Sequence, residues 1–241
     1  MNKLIVSCMD RRLNNELDRE ADDDTVFLRN AGANIAGVVD SIKMYVKESG
    51  IDSVTIRTHT DCGAMKFVKA ALAKELKPSA ENYSRLVMQF EGSDSRNLDE
   101  ANTDVQLSAM YNLAVEDDLD VGVDCSMIDL SKLQLNADGR HVLSVILGKQ
   151  KVRYADVSEQ MGVGPNDSYF LQALAFDELL PDMDIAVSVL NLSDIRFISV
   201  DGAMKDEISR AVASLRSQPF FSDRLSISAV DVRSHASDAV A

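Results

Sequence analysis

The sequence predicts an α/β fold, a mostly parallel central sheet flanked by helices. Apolar runs of strand length alternate with stretches whose apolar residues recur at helical spacing. Helix-ending residues, Gly50 and Pro78, fall where two of those stretches stop. Strands separated by helical crossovers must lie parallel and connect right-handedly, and ligands then gather beyond the carboxyl ends of the strands. The chain has 241 residues, 46% hydrophobic and 27% charged, enough for one large α/β domain or two small ones.

Residues 3–7, with Leu4-Ile5-Val6, read as the first strand. Residues 13–20 are polar and make a short helix or loop, and Asp22-Asp23-Asp24 is a solvated turn. A second strand covers 25–28. Ile35, Val38, Val39, Ile42, Tyr45 and Val46 then form one helical face, and Val54-Thr55-Ile56 is the third strand. After Gly63, the set Ala64, Phe67, Val68, Ala71 and Leu72 marks another amphipathic helix. The polar stretch 79–102 reads as a loop, and Asn102 or Thr103 can cap a helix running to about Val115. Strands are expected at 121–125 and 142–147 with a turn at 136–139 between them. Further on, the pattern predicts a helix over 169–180 ended by Pro181, strands at 185–190 and 195–200, and a helix over 203–215.

The domain reading is a metal-carrying α/β core over 1–118, an additional α/β region over 119–220, and a flexible tail over 221–241. The middle region is either an extension of the core or a degenerate repeat of it. One echo motivates the repeat: Gly63-Ala64-Met65-Lys66 returns as Gly202-Ala203-Met204-Lys205. Aligning the two strings puts Ile198 where His59 stands and Asp201 where Cys62 stands.

A formal net charge of -14 repels nucleic acid and anionic membranes. No apolar run approaches the ~20 residues that span a bilayer, and the apolar stretch near the N-terminus is too short for a signal peptide. Three cysteines make no disulfide framework and suit a reducing compartment, so a cytoplasmic location is expected. Cys125, with no His at ligand spacing, reads as a small buried hydrophobe. The glycines at 32–37 and Gly162-Val163-Gly164 lack the residues that would make them phosphate cradles.

Chemistry concentrates in two strings that each follow a strand: Ser7-Cys8-Met9-Asp10-Arg11-Arg12 and His59-Thr60-Asp61-Cys62-Gly63. Cys8, His59 and Cys62 offer two thiolates and an imidazole, a donor set suited to tetrahedral zinc with its fourth position open. Asp10 and Arg12 stand beside them as a gating pair; on a continuing strand Arg12 shares Asp10's period-2 face, whereas a helix starting here leaves the choice between Arg11 and Arg12 open. The same residues also allow a closed structural site, with Asp10 as the permanent fourth ligand.

Cys8-x-Asp10-x-Arg12, Arg29-Asn30-Ala31-Gly32 and His59-x-x-Cys62, taken together, resemble the β-class carbonic anhydrases over roughly residues 3–77. The resemblance implies that Cys8, His59 and Cys62 bind Zn²⁺. It also implies that a zinc-bound hydroxide reversibly hydrates CO₂ to bicarbonate, with the Asp10/Arg12 dyad gating and orienting that hydroxide. It further implies a homodimer or higher homo-oligomer, with pocket residues supplied across the interface. Two alternatives stay open: a non-catalytic zinc protein on the same fold, and a hydrolase of CS₂ or COS.

Overall fold

The computed structural model describes residues 2–74, 86–93, 97–133, 141–222 and 225–233. Its strands are β1 (Lys3–Cys8), β2 (Thr25–Asn30), β3 (Ser53–His59), β4 (Gly122–Ile128), β5 (Val142–Leu147), β6 (Ser168–Ala173), β7 (Asp194–Val200) and β8 (Ser226–Val232). Among the helices are α1 (Asn14–Glu20), α2 (Val39–Ser49), α3 (Gly63–Leu72), α4 (Leu98–Glu116), α5 (Tyr154–Gln160), α6 (Leu180–Ser188) and α7 (Lys205–Ser217). The turn expected at 136–139 and Pro78 lie outside the described residues.

All eight strands join one sheet in the order β4-β3-β1-β2-β6-β5-β7-β8. Every neighbouring pair is parallel except β2 and β6, which run antiparallel with Arg29 opposite Gln172. The expected α/β class, a mostly parallel sheet with flanking helices, is the one observed. Strands covered on both faces need uninterrupted apolar runs. β1 and β5 largely meet that need: Leu4, Ile5 and Val6 are fully buried, as are Leu143, Val145 and Ile146, with the buried Ser144 between them.

The sheet is built twice over. Outward from the β2/β6 junction, both sides give the same sequence of strands, β2-β1-β3-β4 and β6-β5-β7-β8. Corresponding strands have equal lengths: six residues in β1 and β5, six in β2 and β6, seven in β3 and β7, and seven in β4 and β8. Their registers agree as well. Lys3 pairs with Thr25 as Val142 pairs with Ser168, and Ser53 pairs with Gly122 as Asp194 pairs with Ser226.

Several elements differ from the sequence expectation. The helix expected over 169–180 is β6 followed by a short 3-10 turn, Phe176–Glu178, and the strand expected at 185–190 is the body of α6. Pro181 sits in the first turn of α6, where its missing N–H costs nothing, so it starts that helix rather than ending one. Helix α4 begins at Leu98, earlier than Asn102, with Asp99 and Glu100 in its first turn. Residues 226–232 form β8 inside the stretch read as a tail. β4 and β5 stand in opposite halves of the sheet, so no hairpin joins them.

Candidate metal centre

Parallel pairing of β1 with β3 aligns their carboxyl ends, which brings the last residue of each, Cys8 and His59, to one edge of the sheet. The turn after β3 then delivers Cys62 immediately before α3. Cys8, His59 and Cys62 are all buried, and their ligand atoms lie within 4.8 Å of one another. The thiols are 3.9 Å apart. Two thiolates on a tetrahedral zinc at ~2.3 Å would sit roughly 3.8 Å apart, so the spacing fits.

The imidazole fits too. His59 Nδ1 lies 2.9 Å from the Thr60 carbonyl oxygen, which can only accept, so Nδ1 carries a proton. Nε2 is then the free donor atom; it is buried and has no hydrogen-bond partner. A buried imidazole nitrogen without a partner is costly unless something coordinates it. The thiol environments agree. Hydrogen bonding from Cys62, helped by the His59 charge, holds the Cys8 thiol well below its usual value despite burial, and that same bond together with burial pushes Cys62 well above. Burial alone would lower His59, yet the Cys8 thiolate, with Asp10 behind it, raises the ring to about 9. A cation taken up by Nε2 and the two sulfurs would compete with the protons that these groups otherwise share.

Asp10 and Arg12 do not continue β1. Asp10 caps a 3-10 turn, Arg11–Leu13, by accepting from the Arg12 backbone N–H at 2.9 Å. The Arg12 side chain folds back onto the same carboxylate, Nε to Oδ1 at 2.9 Å and Nη2 to Oδ2 at 2.7 Å. The Asp10 carboxylate thus pairs with Arg12 through a capping turn and not through a shared strand face. Arg11 instead points to the Asn166 carbonyl of the other half. Burial would raise the Asp10 carboxyl, but the Arg12 hydrogen bonds and the nearby charges of His59 and Arg12 bring it below its ordinary value. Asp10 Oδ2 stands 4.0 Å from His59 Nε2.

The surroundings hold these groups through residues to which the sequence pattern gave no part in the centre. Asp61 has a left-handed backbone, φ 58°, and its N–H donates to Asp99 Oδ2 at 2.7 Å, while its carboxylate takes Arg12 Nη1 at 2.7 Å. Gly32, with φ 76°, directs its N–H at the Cys8 sulfur, 3.4 Å away. Asn102 donates to the Gly32 carbonyl, and Asp182 accepts from the Ala31 N–H. Arg29 is fully buried behind the centre and donates to the backbone carbonyls of Cys8 and Asp10. Cys125 lies on β4, outside the cluster.

A small cavity of about 20 Å³ touches Cys8 and Asp10. Met9, Gly63 and Ala64 line it from one half of the sheet, and Tyr169, Ile185 and Leu190 from the other. It has room for about one water-sized molecule. Larger clefts of about 270 and 410 Å³ open elsewhere and contain no thiol or imidazole.

A family model described as carbonic anhydrase matches residues 3–129, more than half of the chain. The chain belongs to the carbonic anhydrase family. With Cys8-x-Asp10-x-Arg12 and His59-x-x-Cys62 in place, it is a carbonic anhydrase of the β class. Among solved structures, the β-carbonic anhydrase CcaA is 16% identical, with TM-score 0.42, covering 54% of this chain and 76% of that one. A carbonic anhydrase from Glaciozyma antarctica is 17% identical, TM-score 0.37, covering 54% and 78%. The β-carbonic anhydrase isoform I (TvaCA1) from Trichomonas vaginalis is 20% identical, TM-score 0.40, covering 55% and 79%. The curated proteins contain no match to this carbonic anhydrase. Among its described residues, no helix is long and apolar enough to cross a membrane.

Proposed function

We propose that this carbonic anhydrase reversibly hydrates CO₂ to bicarbonate at a zinc ion held by Cys8, His59 and Cys62. The observation that carries the reading is the hold of Arg12 on both oxygens of Asp10, which keeps the carboxylate from serving as a fourth ligand. Zinc in such a site supplies the Lewis acidity that ionises water near neutral pH, a property for which carbonic anhydrases are themselves the reference case.

The protein's own groups do the rest. Asp10, kept charged by Arg12, accepts a hydrogen bond from the attacking oxygen at Oδ2 and so aims its lone pair at the substrate carbon. Second-shell donors matter because two thiolates already neutralise the ion: the Gly32 N–H to Cys8 withdraws charge from the sulfur, and the Thr60 carbonyl fixes the His59 ring. The apolar walls suit an uncharged, linear substrate better than its anionic product, which favours product release. Reduced cysteines 3.9 Å apart, which the site requires, support a cytoplasmic location.

The test is metal analysis together with CO₂ hydration followed across pH. The expected result is zinc in the purified protein and rapid acidification that Asp10→Ala abolishes. A folded, zinc-replete protein without such activity between pH 7 and 9 would exclude the reading. Preferential release of H₂S from CS₂ or COS would instead change the substrate.

A further inference from the structure

We propose that the second half of the chain is a degenerate copy of the first that has given up its metal ligands and now serves as the wall of the one remaining site. The repeated strand order, matched strand lengths and matched registers assign each position of one half a counterpart in the other. The junction obeys the same symmetry. Arg29, fifth in β2, faces Gln172, fifth in β6, so the antiparallel pair is formed by counterparts, as across a two-fold axis.

Register fixes what became of the ligands, and it corrects the alignment suggested by the Gly-Ala-Met-Lys echo. Cys8, last in β1, corresponds to Leu147, last in β5, and His59, last in β3, corresponds to Val200, last in β7. Neither Ile198 nor Asp201 is a ligand counterpart; the echo is displaced by two residues from the sheet register. The turn into α7 is one residue longer than the turn into α3, so Ala203 or Met204 stands in the place of Cys62. Met204 lies against Gly148, where a Cβ would come within 3.0 Å of its sulfur. The cleft at this end of β7, which includes Val200 and Val232, contains no thiol or imidazole. An apolar set has replaced a ligand set.

What the second half still does is cover the first half's site. Tyr169 from β6, Ile185 from α6 and Leu190 just beyond it form one side of the cavity beside Cys8 and Asp10. Leu190 packs where a Gly63 Cβ would stand, 3.4 Å away, next to Cys62. Asp182, also on α6, takes the Ala31 N–H and so braces the loop whose Gly32 donates to Cys8. The site is thus complete within a single chain, and any homo-oligomer is free to form through other surfaces. The role assigned to Leu190 in admitting substrate rests on the CO₂ reading above; the duplication and the single metal do not.

The experiment uses the full chain loaded with cobalt(II), whose thiolate absorption bands report the metal's surroundings without turnover. Expected are one cobalt per chain and a spectral response to azide. Leu190→Trp, which crowds the cavity at a half-buried position, should weaken azide binding and lower kcat/KM for CO₂ by roughly tenfold or more at unchanged metal content. Two metals per wild-type chain would overturn the loss of the second site. A folded, metal-loaded Leu190→Trp with wild-type azide affinity would overturn the wall. An intact azide response without CO₂ turnover in the wild type would remove the CO₂ reading and leave this one standing.

Discussion

Arg12 grips Asp10 from three directions, with its backbone N–H, Nε and Nη2 all donating to one carboxylate. The far side of the same guanidinium is tied to Asp61, through its carboxylate and its carbonyl oxygen. Arg12 therefore bridges the residue beside the metal centre to the turn that carries Cys62. Swinging Asp10 toward His59, 4.0 Å away, requires breaking a fork–fork pair, and such charge-assisted pairs are among the stronger hydrogen bonds.

Arg12→Ala should release Asp10. Without its partner the carboxyl loses the hydrogen bonds that hold it low, and it can turn toward the ligand cluster. The expected outcome is a fall in CO₂ hydration of about 10²-fold or more with zinc content unchanged, and Arg12→Lys recovering little because the fork is lost. Equal activity in wild type and Arg12→Ala would show that the dyad has no part in turnover.

Removing the metal should cost stability as well as activity. Loss of the ion leaves two buried thiols and the partnerless His59 Nε2 packed together. Any ion bound only by the folded state stabilises it in proportion to the logarithm of its concentration over Kd, about 3 kcal/mol at a hundredfold excess. A chelator should lower Tm, and zinc should restore it. In Cys8→Ser and His59→Ala the zinc-dependent rise should shrink or vanish, whereas in Cys125→Ser it should persist.

The grouping of Cys8, His59 and Cys62 was legible in the sequence because ligand chemistry is local: Cys8 and His59 each end an apolar strand, and Cys62 follows three residues after His59. The fold class was legible for a similar reason, since β1 and β5 are mostly apolar runs of strand length. The second half was harder. The residues of β6 and α6 are apolar at both periods, so Pro181 became the deciding signal, and a proline marks a helix start as readily as a stop. β8 alternates exposed and buried residues on a Ser-rich background, a weak signal that only pairing with β7 makes into a strand. Asp99 read as loop, Asn102 as a loop end or cap and Gln106 only as part of a helix, because nothing local reveals that α4 returns to brace the 31–35 loop and the Cys62 turn.

Arg29 is a positioning residue whose loss should be severe. It is fully buried, its guanidinium donates to Cys8, Asp10 and Asn14, and it lies 4.5 Å over the Tyr154 ring. Burial lowers its pKa, opposed by the neighbouring Tyr154, Cys8, Asp10 and Asp18 groups, and the guanidinium lies over the Tyr154 ring face. Arg29→Lys keeps the charge but cannot span the Cys8 and Asp10 carbonyls together. A loss on the order of 3–5 kcal/mol in urea unfolding is expected for a broken buried charge network, together with weaker zinc binding. A change within about 0.5 kcal/mol, the usual range for surface substitutions, would mean that the backbone of this edge is held by other contacts.

Asp182 makes the opposite kind of prediction, a substitution that stabilises. Burial raises its carboxyl from 3.8 to about 7, only partly opposed by the Ala31 N–H bond, with the Cys8 charge a smaller contribution in the same direction. The folded state thus keeps a proton that the unfolded chain releases near its ordinary carboxyl value. Stability contributed by this proton is complete below the unfolded value and is lost as pH rises toward about 7. At roughly 1.4 kcal/mol per unit, the loss is on the order of 4 kcal/mol above neutrality. Asp182→Asn keeps an acceptor for Ala31 and has nothing to ionise. Unfolding curves should therefore nearly coincide at pH 4 and separate above pH 7, with the Asn variant the more stable by a few kcal/mol. Zinc on Cys8 should narrow the gap without closing it, because burial is the larger cause. Parallel pH profiles for the two proteins would show that Asp182 ionises freely and that the Ala31 loop does not depend on a protonated brace.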